Sequence, residues 1–158
     1  DEVTDFDYGA GVARWRSLLR GREKELDIDA TIRDIPTLLY WFRRERIAPG
    51  DERALRVMAD NKIYTVLPRP VGLDTVVVSG LGRVPCIRYE PAAEFNGLFV
   101  RKGKVWLWVS DDDRRVAVKI EAEVPVARVR ALLSEIRGPD VRREEGVAQR
   151  EWRHAVPR

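Results

Sequence analysis

From Asp51 onward the apolar residues of this chain recur at every second position. Leu55 and Val57, Ile63 to Leu67, Thr75 and Val77, Ile87 and Tyr89, Val105 to Val109, Val116 to Ile120, and Val129 to Leu133 all follow this spacing. A period of two belongs to a strand, whose side chains point to opposite faces in turn. Turn-forming residues separate the runs: Asp60-Asn61, Pro70-Val71-Gly72, Gly80-Leu81-Gly82, Asn96-Gly97, Lys102-Gly103 and Asp111-Asp112-Asp113. Strands joined by such short connections pair antiparallel, because a parallel pair needs a long crossover. The expected architecture is therefore an antiparallel meander.

Upstream, residues 12–19 and 24–29 read as two short strands around a turn at Arg20-Gly21-Arg22. One stretch breaks the rule of two. Ile35, Leu38, Leu39 and Phe42 fall at i, i+3, i+4 and i+7, the apolar stripe of a helix. Asp34 suits the N-cap, and Pro36 sits where a missing N–H costs nothing. Arg43, Arg44 and Arg46 complement the negative end of the helix dipole, and Pro49-Gly50 stops the helix. A single long helix over about 34–46 follows from this pattern.

The helix and the sheet must meet. Val105-Trp106-Leu107-Trp108-Val109 is apolar on both strand faces, so something must cover the second side of the sheet. The helix is the natural cover, which places Trp106 and Trp108, sharing one strand face, at least half buried between sheet and helix. Together with Tyr40 and Trp41 they form the candidate apolar binding face. The 116–120 strand is expected to carry Val116, Val118 and Ile120 on one face and Arg115, Lys119 and Glu121 on a wet one. The fold class is thus mainly β with one helix (α+β), an antiparallel meander sheet packed against that helix. Residues 1–138 form the domain, and 139–158 form a polar C-terminal tail.

Composition removes whole classes of chemistry. With one cysteine, Cys86, and one histidine, His154, among 158 residues, no intramolecular disulfide framework, Cys-rich zinc site or His-based metal site can be built. The longest apolar runs, Leu38–Phe42 and Val105–Val109, are far too short for a transmembrane helix. A formal net charge of +3 is mild, and the arginines are interleaved with acids, as in Arg22-Glu23-Lys24-Glu25. A nucleic-acid binder gathers its positive charge on one stripe, so nucleic acid is not an expected partner.

The remaining motifs read as structure. Asp111-Asp112-Asp113 lacks the bend glycine and distal acid of a calcium loop, and fits a turn between strands. Gly80-Leu81-Gly82 lacks the third glycine and the Lys-Ser/Thr of a phosphate loop. Cys86 lies within a strand pattern and reads as a small core residue. Glu94, beside Phe95, comes nearest to a carboxylate in apolar surroundings, and it has no evident partner. No catalytic residue, no metal and no cofactor is expected.

The stretch from Phe6-Asp7-Tyr8 to Arg137-Gly138 resembles the bacterial exported proteins grouped as domain of unknown function 3108. Phe6-Asp7-Tyr8 is similar to an early strand of that family. Asp34 with Leu38-Leu39-Tyr40-Trp41-Phe42-Arg43 is similar to its helix, and Val84-Pro85-Cys86-Ile87-Arg88-Tyr89-Glu90-Pro91 to its Cys-containing strand. Most specific is Gly103-Lys104-Val105-Trp106-Leu107-Trp108-Val109-Ser110-Asp111-Asp112, followed by Arg114 to Ile120. Ala117 departs from a usual proline and Ala127 from a common glycine. The resemblance implies a curved antiparallel sheet wrapped beside the helix, a half-barrel like that of lipoprotein carriers, with its first strands missing here or supplied from elsewhere. It also implies a place in the periplasm or at the outer-membrane side of the cell envelope, and no established reaction.

The expected role is a non-enzymatic envelope protein whose half-barrel binds an apolar ligand, such as a lipid, or a protein partner. The rival expectation is a structural subunit whose sheet is completed by a neighbouring chain, with no small-molecule ligand.

Overall fold

The computed structural model of the chain describes residues 1–93, 104–124 and 127–136. Strands β1 (Glu2–Asp7), β2 (Val12–Ser17) and β3 (Arg22–Asp27) come first, then helix α1 (Ile35–Arg44). Six further strands follow: β4 (Leu55–Ala59), β5 (Lys62–Val78), β6 (Gly82–Ala93), β7 (Lys104–Ser110), β8 (Ala117–Val124) and β9 (Ala127–Leu132). They form two antiparallel sheets, β1-β2-β3 and β4-β5-β6-β7-β8-β9, each a meander in chain order. The larger sheet is open: β4 and β9 are its edges and do not pair with each other. The chain is mainly β with one helix, as its periodicity requires.

Local chemistry fixes α1 at both ends. The Asp34 carboxylate accepts a hydrogen bond from the Thr37 amide at 2.7 Å, and Pro36 lies in the first turn. The helix stops at Arg44, sooner than its arginine run suggests, because Glu45 turns extended while its amide still bonds to the Trp41 carbonyl. Arg46, freed from the helix, reaches the carboxylate of Asp111 at 3.0 Å.

Leu38 and Phe42 bury the helix stripe on one face of the large sheet, against Leu55, Val57, Val66, Ile87, Tyr89, Leu107 and Val109. The opposite face has two other covers. Near β4, the small sheet brings Ala13 and Trp15 onto Met58 and Ile63. Farther along, Val76, Val78 and Cys86 pack with Trp108 and Val118. Here the outer half of the β5–β6 hairpin curls over the sheet, so that β5 approaches β8 although two strands lie between them. Arg33 joins the two sheets: its amide and carbonyl bond to Arg56 and Met58 in a parallel bridge with the free edge of β4.

Three expectations are corrected. Pro70-Val71-Gly72 is no turn but a bulge within the single long strand β5. Both Pro68 and Pro70 lie past Val66, where β4 has ended, so their missing N–H groups break no ladder on that side. The bulge supplies local twist instead. Next, a register shift opposite Trp108 and Val109 turns Val118 to the face away from the helix, while Ala117 and Ile120 face the helix core. The face of β8 expected to be wet is also covered, since Glu121 is only 7% exposed. The turns at Asp60-Asn61, Gly80-Leu81-Gly82 and Asp111–Asp113 stand as expected. Those at Asn96-Gly97 and Lys102-Gly103, the carboxylate Glu94, His154 and the tail 139–158 lie outside the described residues.

Candidate functional site

The four aromatic residues expected to line one apolar face are not brought together. Tyr40 points outward, 65% exposed, with the Arg43 guanidinium 5.9 Å from its ring centroid. Trp41 is partly buried against the helix-side core and meets Phe42 edge to face. Trp106 and Trp108 lie on the other side of the sheet, away from α1, in the cluster closed by the curled hairpin. Trp108 is buried as expected, but its cover is strand, not helix. The alternation of β7 decided this: Leu107 and Val109 face the helix, so the even-numbered residues cannot.

The surroundings of Trp108 explain its burial. Its indole N–H donates to the carboxylate of Asp74 at 2.8 Å, and the Lys119 ammonium sits 3.8 Å from its ring centroid. That bond is the main cause holding Asp74 below its usual carboxylate range. Lys119 in turn bonds to Glu121 at 2.8 Å, and Arg130 reaches the same carboxylate at 3.3 Å. Lys119 is the chief cause that holds Glu121 low. These groups are mutually satisfied, and they make a cover for the sheet rather than a receptor.

Cys86 is buried, and loss of solvent pushes its thiol up to about 12, so it stays protonated at neutral pH. The Asp111–Asp113 turn is locked from within. Burial would raise Asp112, but the Ser110 hydroxyl at 2.7 Å, the Arg114 guanidinium and the Arg115 amide outweigh it and hold it low. For Asp111 burial wins over Arg46, and its carboxyl is raised. Arg115 also donates to the Glu45 carbonyl at the end of α1, which fastens this turn to the helix. Among the described residues no three His, Cys, Asp or Glu side chains converge in a way that could hold a metal ion.

A hollow does open where the small sheet, the N-terminus of α1 and the β4–β5 turn meet. This cleft of about 350 Å³ has apolar walls from Phe6, Trp15, Ile35, Pro36 and Met58. Glu2, Thr4, Asp34 and Asp60 line it as well. The Trp15 indole N–H donates to Glu2 at 3.2 Å, which holds one carboxylate at the edge of the indole. Partial burial and the neighbouring Glu2 both raise the carboxyl of Asp60. Asp60 itself stands at φ +50, the conformation of a tight hairpin turn that Asp tolerates. The cleft therefore combines apolar side chains with three carboxylates, of which Glu2 and Asp60 are exposed.

A second hollow, about 430 Å³, lies beside the β5–β6 hairpin, but its acids are already engaged, Asp74 by Trp108 and Asp111 by Arg46. Sequence reasoning did not find the first cleft, because its walls come from four separate segments. Asp34 and Pro36 were legible only as helix-start residues. Trp15, the one aromatic residue of β2, was the available signal.

Among the described residues, no helix is long and apolar enough to cross a membrane. No curated protein matches this chain, and no solved structure does. The model of the family described as "Protein of unknown function (DUF3108)" matches residues 1–134, and this match spans both sheets, the helix and the cleft. The chain belongs to that family, domain of unknown function 3108.

Proposed function

We propose that this is a non-catalytic protein of the bacterial cell envelope that holds a small ligand with an apolar body in the cleft between its two sheets. The observation that carries the reading is the cleft itself, a recess that sets Phe6, Trp15, Ile35 and Met58 beside Glu2, Thr4, Asp34 and Asp60. Ligand sites combine apolar walls for affinity with polar groups for orientation. A lipid-like or other amphiphilic molecule fits such a recess. The envelope location is carried over from the exported proteins that the chain resembles.

The non-catalytic reading has two supports. The Cys86 thiol is buried and protonated, which leaves it inert as a nucleophile. Glu2 and Asp60 are exposed, whereas acid catalysis needs a carboxyl enclosed in an apolar pocket. Native mass spectrometry of protein taken from its own host tests the proposal. A co-purified small molecule that is lost on Phe6→Ala, with the fold intact, supports it. Ligand-free wild-type protein, or turnover of a defined substrate that one Asp or Glu substitution abolishes, defeats it.

One observation favours a second reading, a structural subunit completed by a neighbouring chain. All six residues of β9 are exposed, and β9 is an edge of the large sheet. An edge strand of this kind can accept another strand. The same native spectra separate the readings, since a bound protein chain differs from a bound small molecule by mass.

A further inference from the structure

The β2–β3 hairpin ends in Leu18-Leu19-Arg20-Gly21, and its two leucines are the most unusual surface groups of the small sheet. Leu18 is 61% exposed and Leu19 81% exposed. The turn does not need them. Its conformational demand falls on Gly21, at φ +57, and the other positions would accept the polar residues that turns prefer. Neither leucine belongs to a core cluster of the described residues.

Within the turn itself the charge has one sign. From Leu18 to Arg22 the only ionisable side chains are Arg20 and Arg22, both exposed. Neither is paired with a described carboxylate, whereas Arg14 and Arg16 farther back are bound to Glu25 and Asp5. The nearest acids in the sequence that follows and in the paired strand are Glu23, opposite Arg16, and Asp1, whose carbonyl accepts from the Leu18 amide. The tip thus places two exposed apolar side chains in the turn of the β2–β3 hairpin, with Arg20 and Arg22 beside them.

We propose that this tip docks the protein on an anionic lipid surface. Leu18 and Leu19 enter the boundary between headgroups and acyl chains, while Arg20 and Arg22 meet the lipid phosphates. Such a surface rewards this arrangement twice, through apolar burial and through attraction of basic groups to its negative potential. The inference is independent of the cleft, since the tip lies outside its walls.

Flotation of the full chain with vesicles tests the proposal. One set is phosphatidylcholine alone, and the other has a third of its lipid replaced by phosphatidylglycerol. The wild type should float with the anionic set, and Leu18→Ser with Leu19→Ser should weaken this by about tenfold or more. Arg20→Gln with Arg22→Gln should remove the preference for anionic over neutral vesicles. Both pairs of changes lie on an exposed turn, and unchanged melting curves establish that each variant is folded. A wild type that stays in solution overturns the proposal, as does a leucine variant that floats like the wild type. If the wild type instead self-associates in sedimentation velocity and the leucine variant does not, the tip docks on a second copy and the lipid assignment is wrong.

Discussion

The two faces of the six-stranded sheet have the same backbone alternation and opposite chemistry. On the helix side Leu38 and Phe42 meet Val57, Val66, Ile87, Leu107 and Val109, all aliphatic or aromatic. On the hairpin side Trp108 and Val118 share their surface with Asp74, Lys119 and Glu121. The covers explain the difference. A helix presents a continuous apolar stripe, which favours apolar partners beneath it. A curled hairpin leaves gaps at its margin, where long side chains bury their stems and keep their charged ends paired. The lesson is that the helix side stores stability in packing, and the hairpin side adds a polar network to it.

The largest test of that contrast is Phe42→Ala. Phe42 is 3% exposed and packs on Tyr89 with ring centroids 5.1 Å apart, so truncation should cost about 3–5 kcal/mol in denaturant unfolding. A cost below about 1 kcal/mol would show that the helix is not the main support of this face.

Trp108→Phe probes the other side with a smaller change. It keeps most of the apolar ring and deletes the N–H donated to Asp74, so about 1 kcal/mol should be lost. Asp74 should also return toward its ordinary carboxylate range, which a carboxyl NMR titration reads directly. An unmoved Asp74 resonance would mean the hydrogen bond does not form in solution.

Glu121→Gln comes next, with an effect that depends on pH. Because Lys119 holds the folded-state carboxyl low, its contribution is present above the ordinary carboxylate range and lost as pH falls through the folded value. The variant should therefore melt below the wild type at pH 7, and the two curves should converge in acid. A gap that persists unchanged at low pH would assign the loss to packing instead of charge.

Smallest, and opposite in sign, is Asp60→Asn at the cleft. The Asp60 carboxyl is raised by partial burial and by Glu2, so its ionised form is a penalty on the folded state at neutral pH. The asparagine variant should melt slightly above the wild type at pH 7, with the advantage vanishing once both acids are protonated. A variant that melts lower at pH 7 would show that a cation from solution already offsets the pair.

Much of the secondary structure was legible because it rests on local rules. The period of two, the stripe from Ile35 to Phe42 and the Asp34 cap each need only a few neighbouring residues. Pro70-Val71-Gly72 misled for the same reason. Locally it is a turn signal, and only because β4 reaches no farther than Leu55, opposite Val66, is the strand edge free to carry two prolines. The candidate site suffered more. Trp106 and Trp108 do share a face, but β7 is apolar on both faces, so alternation alone could not say which one meets the helix.

The amino-acid sequence by itself determined an antiparallel, strand-dominated chain with one helix, because hydrophobic period and turn chemistry act within a few residues. Family membership was also legible there, in the run from Gly103 to Ile120. Only the tertiary structure decided that the strands divide into two sheets, that a hairpin covers Trp108, and that Phe6, Trp15, Ile35 and Met58 enclose a cleft. Those outcomes depend on contacts between segments far apart in the chain. Their stability comes from burying surfaces against each other, and apolar burial has no direction that a short stretch of sequence could encode.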